Sequence, residues 1–265
     1  MFEFHENKVR YFEMQRENSA MYVVPFIQAK MELNKEVHVL EVGCAEGGVL
    51  KSFTDLGCTG VGVELVEGRF ELAKEFLEKE IKGGQVEIHS CNVYDVQEDP
   101  HFKEKFNLII LKDVIEHIPN QKELLKCLKG FLKPGGQIFF GFPPWYMPFG
   151  GHQQICKNKF LSILPYYHIL PKFIYKGILS LFKEPESVVK ELLEIKDTRI
   201  TIGQFKQYAK ANALKITNEL FYLINPIYKY KFGLKPRKQL PLIGKIPILR
   251  NFVTTCAYFL VKKES

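Results

Sequence analysis

VLEVGCAEGGVL, residues 39–50, runs a β-rich segment into a glycine-rich turn and then into a helical pattern. Gly43 permits a tight turn, and Gly47 or Gly48 lets a ligand approach the backbone closely. The helix that follows presents unpaired N–H groups at its start. Strand, turn and helix in this order make a nucleotide site. Glu64 lies twenty-one residues beyond Gly43 and ends the next β-rich run, TGVGVE at 59–64. There a carboxylate can accept hydrogen bonds from both hydroxyls of a ribose.

Outward from this centre the chain alternates strands and helices, the pattern of βαβ units and a parallel sheet. Strands are predicted at 37–42, 59–64, 85–90, 107–112 and 136–142, and helices at 48–56, 67–81 and 121–131. Phe70, Ala73, Phe76, Leu77 and Ile81 share one helical face and read as core. KPGG at 133–136 ends the third helix. After Phe142 the rhythm breaks. FPPWYMPFGGHQQ, an apolar stretch at 160–182 and a helix-like run at 184–195 read as an inserted cap. A helix over 201–213, capped by Thr201, and two strands, LKITNELFYLI and FVTTCAYFLV, then add to the sheet edge. The divisions are a lid at 1–36, a core at 37–142, a cap at 143–200 and a C-terminal part of the core at 201–265.

The 265 residues are 46% hydrophobic and 25% charged, a globular composition that excludes disordered, collagen-like and disulfide-scaffold classes. The net charge of +7 hides a split. Residues 1–142 carry 17 basic and 23 acidic side chains, whereas 143–265 carry 20 and 7. No acidic residue lies between Glu219 and Glu264. That half suits either an anionic partner or simply water. Six scattered cysteines without a CxxC pair, and a polar start without a secretory signal, predict a reduced, cytoplasmic protein without a bound metal. Pro165, Pro171, Lys172 and Lys176 interrupt the apolar stretch, so it reads as a membrane-surface contact and not as a span, which needs ~20 predominantly apolar residues.

A dinucleotide turn is G-x-G-x-x-G, but position 45 is Ala, and Glu46 puts negative charge where a pyrophosphate would sit. A carboxylate there suits a cofactor bearing sulfonium and ammonium groups. An NAD(P)-type oxidoreductase stays as the alternative, as does a non-catalytic protein that binds cofactor or membrane.

VLEVGCAEGG, VGVEL, SCNVYD, FNLIILKDVIEHI and LKPGGQIFFGFP, in this order over about residues 37–142, resemble the class I S-adenosylmethionine-dependent methyltransferases, especially the small-molecule, quinone-biosynthesis group. The resemblance implies a Rossmann-like α/β fold with a seven-stranded sheet, order 3-2-1-4-5-7-6, strand 7 antiparallel. It implies S-adenosylmethionine as cofactor and S-adenosylhomocysteine as product. By the same resemblance Glu41, Gly43, Cys44 and Ala45 line the methionine part, Glu64 holds the ribose, and Leu65 packs on the adenine. Asn92 stands where the family commonly has Asp, and its amide oxygen can still accept from the adenine amino group. Val93 adds a backbone donor, and Lys112 and Asp113 fall in the crevice at the end of strand 4. Tyr11, Arg16 and Tyr22, in the helical lid, are candidates to reach the cofactor carboxylate.

Methyl transfer to a hydroxyl or amine needs orientation and removal of a proton. His117 after strand 4 and His152 after strand 5 are the candidate bases, with Tyr146 beside His152. The glycine pair before His152 permits close backbone approach. FPPW at 142–145 is similar to the motif of nucleic-acid amino methyltransferases, but theirs follows strand 4, and this one follows strand 5. That position argues against a nucleic-acid substrate. The aromatic cap and its lysines predict a small acceptor with an apolar or aromatic body and an anionic portion.

Overall fold

A computed structural model describes residues 7–264. The first six residues of the stretch read as a lid therefore lie outside the described residues. The sheet strands are β1 (His38–Val42), β2 (Thr59–Glu64), β3 (Val86–Ser90), β4 (Phe106–Lys112), β5 (Leu132–Phe142), β6 (Leu214–Ile224), β7 (Arg237–Lys238) and β8 (Cys256–Lys263). They form one sheet in the order β3-β2-β1-β4-β5-β8-β6-β7. The first five pair in parallel, and β8 runs antiparallel between β5 and β6. This is the expected 3-2-1-4-5-7-6 sheet with one addition. Residues Arg237 and Lys238 pair with Tyr222 and Ile224 to make a two-residue eighth strand, too short to carry a sequence pattern.

The central strands are buried on both faces, and alternate residues serve opposite cores. Ile109 and Leu111 of β4 enter one cluster with Leu124, Leu128 and Phe205, while Leu108 and Ile110 enter the other with Phe12, Ile27 and Phe53. A third cluster, Cys156, Leu161, Tyr167, Tyr175, Leu179 and Leu192, belongs to the cap segment alone.

Three local readings are corrected. The predicted 67–81 helix is two, Glu67–Phe76 and Glu78–Lys82, broken where Leu77 leaves helical geometry and fills the space beside Gly47. KPGG does not end the third helix, which stops at Phe131. It sits in a bulge of β5, since Phe106 pairs with Leu132 but Leu108 pairs with Gln137. Phe252 and Val253 of the last predicted strand belong to the helix Pro247–Val253, and Thr254 is its C-cap. Thr201 does cap the helix Ile202–Ala211, in a reciprocal capping box with Gln204.

The N-terminal helix Lys8–Asn18 lies directly against the helix Gly48–Thr54. A Cβ at Gly48 would stand 2.5 Å from the Phe12 carbonyl oxygen and 3.0 Å from the Gln15 Cβ. Backbone cannot yield there as a side-chain tip can. Gly48→Ala is expected to lower stability by about 1–3 kcal/mol, the usual cost of overpacking, read as a lower urea midpoint. An unchanged midpoint would contradict this packing.

Candidate active site

A cleft of about 720 Å³ opens at the carboxyl ends of β1, β2 and β4, the switch-point position at which open α/β sheets take ligands. Its wall brings together Tyr11, Glu41, Gly43, Cys44, Ala45, Glu64, Leu65, Asn92, Val93, Lys112, Asp113 and His117, twelve of the residues singled out from sequence.

The turn after β1 is held by its neighbours. Gly43 and Cys44 donate from their N–H groups to the Val63 carbonyl at 2.8 and 3.1 Å. Glu64 is buried at the end of β2. Its Oε2 accepts from the Ala45 N–H and its Oε1 from the Val66 N–H, each at 2.8 Å. The carboxylate is thus fixed in position, with lone pairs left over for further donors. Beside it Leu65 and Val66 are 67% and 54% exposed, an apolar ledge at the cleft wall.

Glu41 is buried, and its Oε2 has no hydrogen-bond partner. Burial pushes its carboxyl well above the usual range, against a hydrogen bond from the Leu50 N–H and the charge of Lys112. One N–H at the start of the 48–54 helix is therefore already taken by protein. Burial also pushes the Cys44 thiol well up, with help from Glu41 and Glu64, so it stays protonated. At the end of β4 the Lys112 ammonium and Asp113 carboxylate are 2.5 Å apart. Burial opposes both charges, yet each is favoured on balance by the other, so Lys112 titrates above and Asp113 below its ordinary value. Asn92 uses its amide oxygen to accept from the Tyr94 N–H at 3.1 Å, which fixes that side chain at the rim.

Five sequence candidates fall elsewhere. Gly47 caps the 48–54 helix with φ of 85°, and its open side faces Leu77 and Ala73. Its glycine is needed for conformation and packing, and not for ligand approach. Arg16 points outward, with its Nε 2.7 Å from Asp55 and its Nη1 3.1 Å from Glu13. Tyr22 packs against the apolar cluster that contains Phe12 and Phe53. Tyr146 stacks on Phe252 at 5.2 Å, bracing the cap on the 247–253 helix. His152 does not line the cleft itself but stands behind His117, the two rings edge to face at 4.9 Å. The glycine pair before it serves packing: a Cβ on Gly150 would meet the Trp145 carbonyl, and one on Gly151 the His168 ring.

Sequence reasoning passed over Glu116. It is buried, neither carboxylate oxygen has a hydrogen-bond partner, and Oε1 lies 3.9 Å from His152 Nε2. Burial, aided by Asp113, pushes its carboxyl well up. Burial pushes His152 down to about 3, with His117 and Lys231 adding to the effect. His117 is also lowered by burial, partly offset by Asp113. Ligand-type atoms of Glu116, His117 and His152 lie within 4.8 Å of one another, a set that suits a divalent cation, although the sequence reading expected no metal. Glu191 was also passed over, and Lys231 was read only as one of the basic side chains after Glu219 that suit an anionic partner. Glu191, on the cap helix Glu186–Thr198, reaches the cleft wall, and Lys231, on the helix Tyr228–Phe232, lies near Asp113 and Lys112 and is lowered to about 8 by burial. Each is carried in by a distant element and had no local sequence signal.

The cleft fits S-adenosylmethionine on three observations: the orphaned Glu41 oxygen, the pinned Glu64 carboxylate and the apolar ledge at Leu65. An open sheet with an antiparallel strand set between β5 and β6, bearing this cleft, defines the class I methyltransferase fold. A family model described as a methyltransferase domain matches residues 12–147, half of the chain, and the chain belongs to that family of class I S-adenosylmethionine-dependent methyltransferases. It is 28% identical over 116 residues to a ubiquinone biosynthesis O-methyltransferase of Coxiella burnetii, covering 43% of this chain and 47% of that one. It is 30% identical over 112 residues to a sterol 4-C-methyltransferase of Caenorhabditis elegans, covering 42% and 33%. The chain thus spans less than half the length of these relatives in the matched regions. In fold it is similar to the crystal structure of geranyl diphosphate C-methyltransferase from Streptomyces coelicolor A3(2), in complex with Mg2+, geranyl diphosphate and S-adenosylhomocysteine. The TM-score is 0.58 at 12% identity, covering 94% of this chain and 80% of that one.

Proposed function

We propose that the protein transfers the methyl group of S-adenosylmethionine to a hydroxyl oxygen of a small acceptor with an apolar body and an anionic portion. The observation that carries this reading is the pinned Glu64 carboxylate beside an apolar ledge, in a cleft whose far wall is the Lys112–Asp113 pair and His117. When bound, S-adenosylmethionine supplies a carbon already activated by its sulfonium. Glu64 accepts from the ribose hydroxyls, Leu65 covers the adenine, and Asn92 and Val93 meet its edge. The turn at 43–45 and Glu41 face the methionine portion, and Tyr11 and Lys112 lie toward its carboxylate.

For the acceptor, desolvation and alignment do most of the work. His117, on the cleft wall, is the group within reach of the acceptor hydroxyl, and it takes that proton as the methyl group arrives. His152 stands behind it, edge to face at 4.9 Å and 3.9 Å from Glu116, and positions its ring. Lys231 offers a cation for the anionic portion.

The relatives named for ubiquinone, sterol and geranyl diphosphate chemistry support an apolar acceptor, as does a cap rich in aromatic side chains. In this reading residues 1–36 act as lid, 37–142 and 201–265 as cofactor-binding core, and 143–200 as acceptor cap. The protein works in the cytoplasm with its basic half against an anionic membrane surface. The test is S-adenosylhomocysteine release with a panel of prenylated phenols, hydroxylated lipids and phosphate-linked alcohols. Release with a hydroxyl acceptor and loss with its O-methyl ether is the expected result. Release only with amine or carbon acceptors, or with none, would refute O-methylation.

A further inference from the structure

Two separate segments expose large apolar side chains. In the cap, Phe173 and Leu181 are 76% and 77% exposed, on the helix Lys172–Leu181, whose other side is buried through Tyr175 and Leu179. Near the C-terminus Leu242 and Ile248 are 75% and 76% exposed, on the short helices Pro241–Gly244 and Pro247–Val253. Side chains this bare are ordinary when isolated, but a contiguous group marks a contact surface. The two parts of the chain touch at one point, where the Tyr166 hydroxyl donates to the Phe252 carbonyl at 3.4 Å and the two rings are 6.3 Å apart.

Within the two segments themselves every charged side chain is basic, and one of them, Lys172, pairs with Asp197 on the neighbouring helix Glu186–Thr198. Residues 157–183 contain no acidic side chain, and neither do 220–263. Lys159, Lys176 and Lys183 are exposed in the first, and Lys235, Arg237, Lys238 and Lys245 in the second. The nearest acid in sequence, Glu184, is buried and spends its carboxylate on the Lys157 and Asn158 N–H groups at 2.9 and 2.8 Å. Projecting aliphatic groups within a basic rim are what an anionic bilayer surface accepts: the apolar tips enter the headgroup boundary while the lysines stay among the phosphates. A second copy of the chain is disfavoured, since a two-fold contact would set this basic patch against itself.

We infer that residues 159–183 and 235–250 form one docking face for an anionic lipid bilayer, and that the enzyme is held there by apolar insertion together with its lysines. This deepens the membrane contact included in the functional reading above. It also gives that contact a purpose, since the cap that bears half of the face also lends Glu191 to the cleft.

The experiment is co-sedimentation of the full chain with vesicles of phosphatidylcholine alone or with one third phosphatidylglycerol, at low and high salt. Wild type is expected to partition at least about tenfold more onto the anionic vesicles and to lose most of that at high salt. Phe173→Asp with Leu181→Asp, and separately Leu242→Asp with Ile248→Asp, should each lower binding at least about tenfold, because each pair trades insertion for repulsion. These positions are solvent-facing, and unchanged circular dichroism and S-adenosylhomocysteine affinity without lipid would show that the variants fold. Equal binding to neutral vesicles, wild-type binding by both variants, or wild-type dimers that the variants dissolve would overturn the inference. S-adenosylhomocysteine binding without lipid reports on the functional reading alone, so the two can fail separately.

Discussion

Glu64→Ala should raise the dissociation constant for S-adenosylmethionine by about a hundredfold or more. Hydrogen bonds to a charged acceptor contribute about 1.5–3 kcal/mol each, and the ribose would lose two. The substitution also releases the Ala45 and Val66 N–H groups that Glu64 now holds, so the turn loosens where the cofactor must lie. Glu64→Gln keeps one acceptor oxygen and should fall between wild type and Ala. Isothermal titration calorimetry reads both values, and urea denaturation shows whether the fold survives. An affinity for Glu64→Ala within about twofold of wild type would make this carboxylate a brace for the turn and nothing more.

His152→Ala has the second large effect, and on a different quantity. It should lower kcat by about 100-fold, the loss expected when the His117 ring that it positions shifts by about 1 Å. S-adenosylmethionine affinity should hold within about twofold, because His152 stands behind the cleft wall and not in it. The same burial predicts the pH profile. With His152 pushed down to about 3, kcat/KM should show no break near the ordinary histidine value of about 6.5 from this residue. Turnover unchanged in His152→Ala would remove it from the chemistry and leave it as packing for His117.

Much of the cofactor side was legible because it is local. A strand, a turn and a carboxylate at the end of the next strand are read from consecutive residues, and the middles of β1, β2 and β4 are apolar because both sheet faces are covered. What local pattern could not settle was the purpose of each glycine. Gly47 looked like a ligand position, yet its open side faces Leu77, whereas Gly48 does line the cleft and turns its open side to the N-terminal helix. The glycines before His152 likewise accommodate Trp145 and His168. The acceptor side was harder, because it is assembled from far apart. Glu116 and His152 meet across β4 and β5, Glu191 arrives from the cap, and Lys231 comes from the loop between β6 and β7. Tyr146 and Arg16 had the right chemistry for a site, but each is committed elsewhere, one to Phe252 and the other to Asp55.

The opening charge asymmetry has a structural counterpart. Acidic Glu41 and Glu64 face the cleft that suits a cationic cofactor, and the basic second half supplies Lys231 and the docking lysines.

The central claim, that the 43–46 turn and Glu64 together hold S-adenosylmethionine, is tested most directly by a crystal structure of the protein with S-adenosylhomocysteine. The account predicts both ribose hydroxyls within hydrogen-bond distance of the Glu64 carboxylate, the adenine against Leu65, and the sulfur directed toward the side of His117 and Lys231. A ligand bound elsewhere, or in this cleft with its ribose away from Glu64, would contradict it.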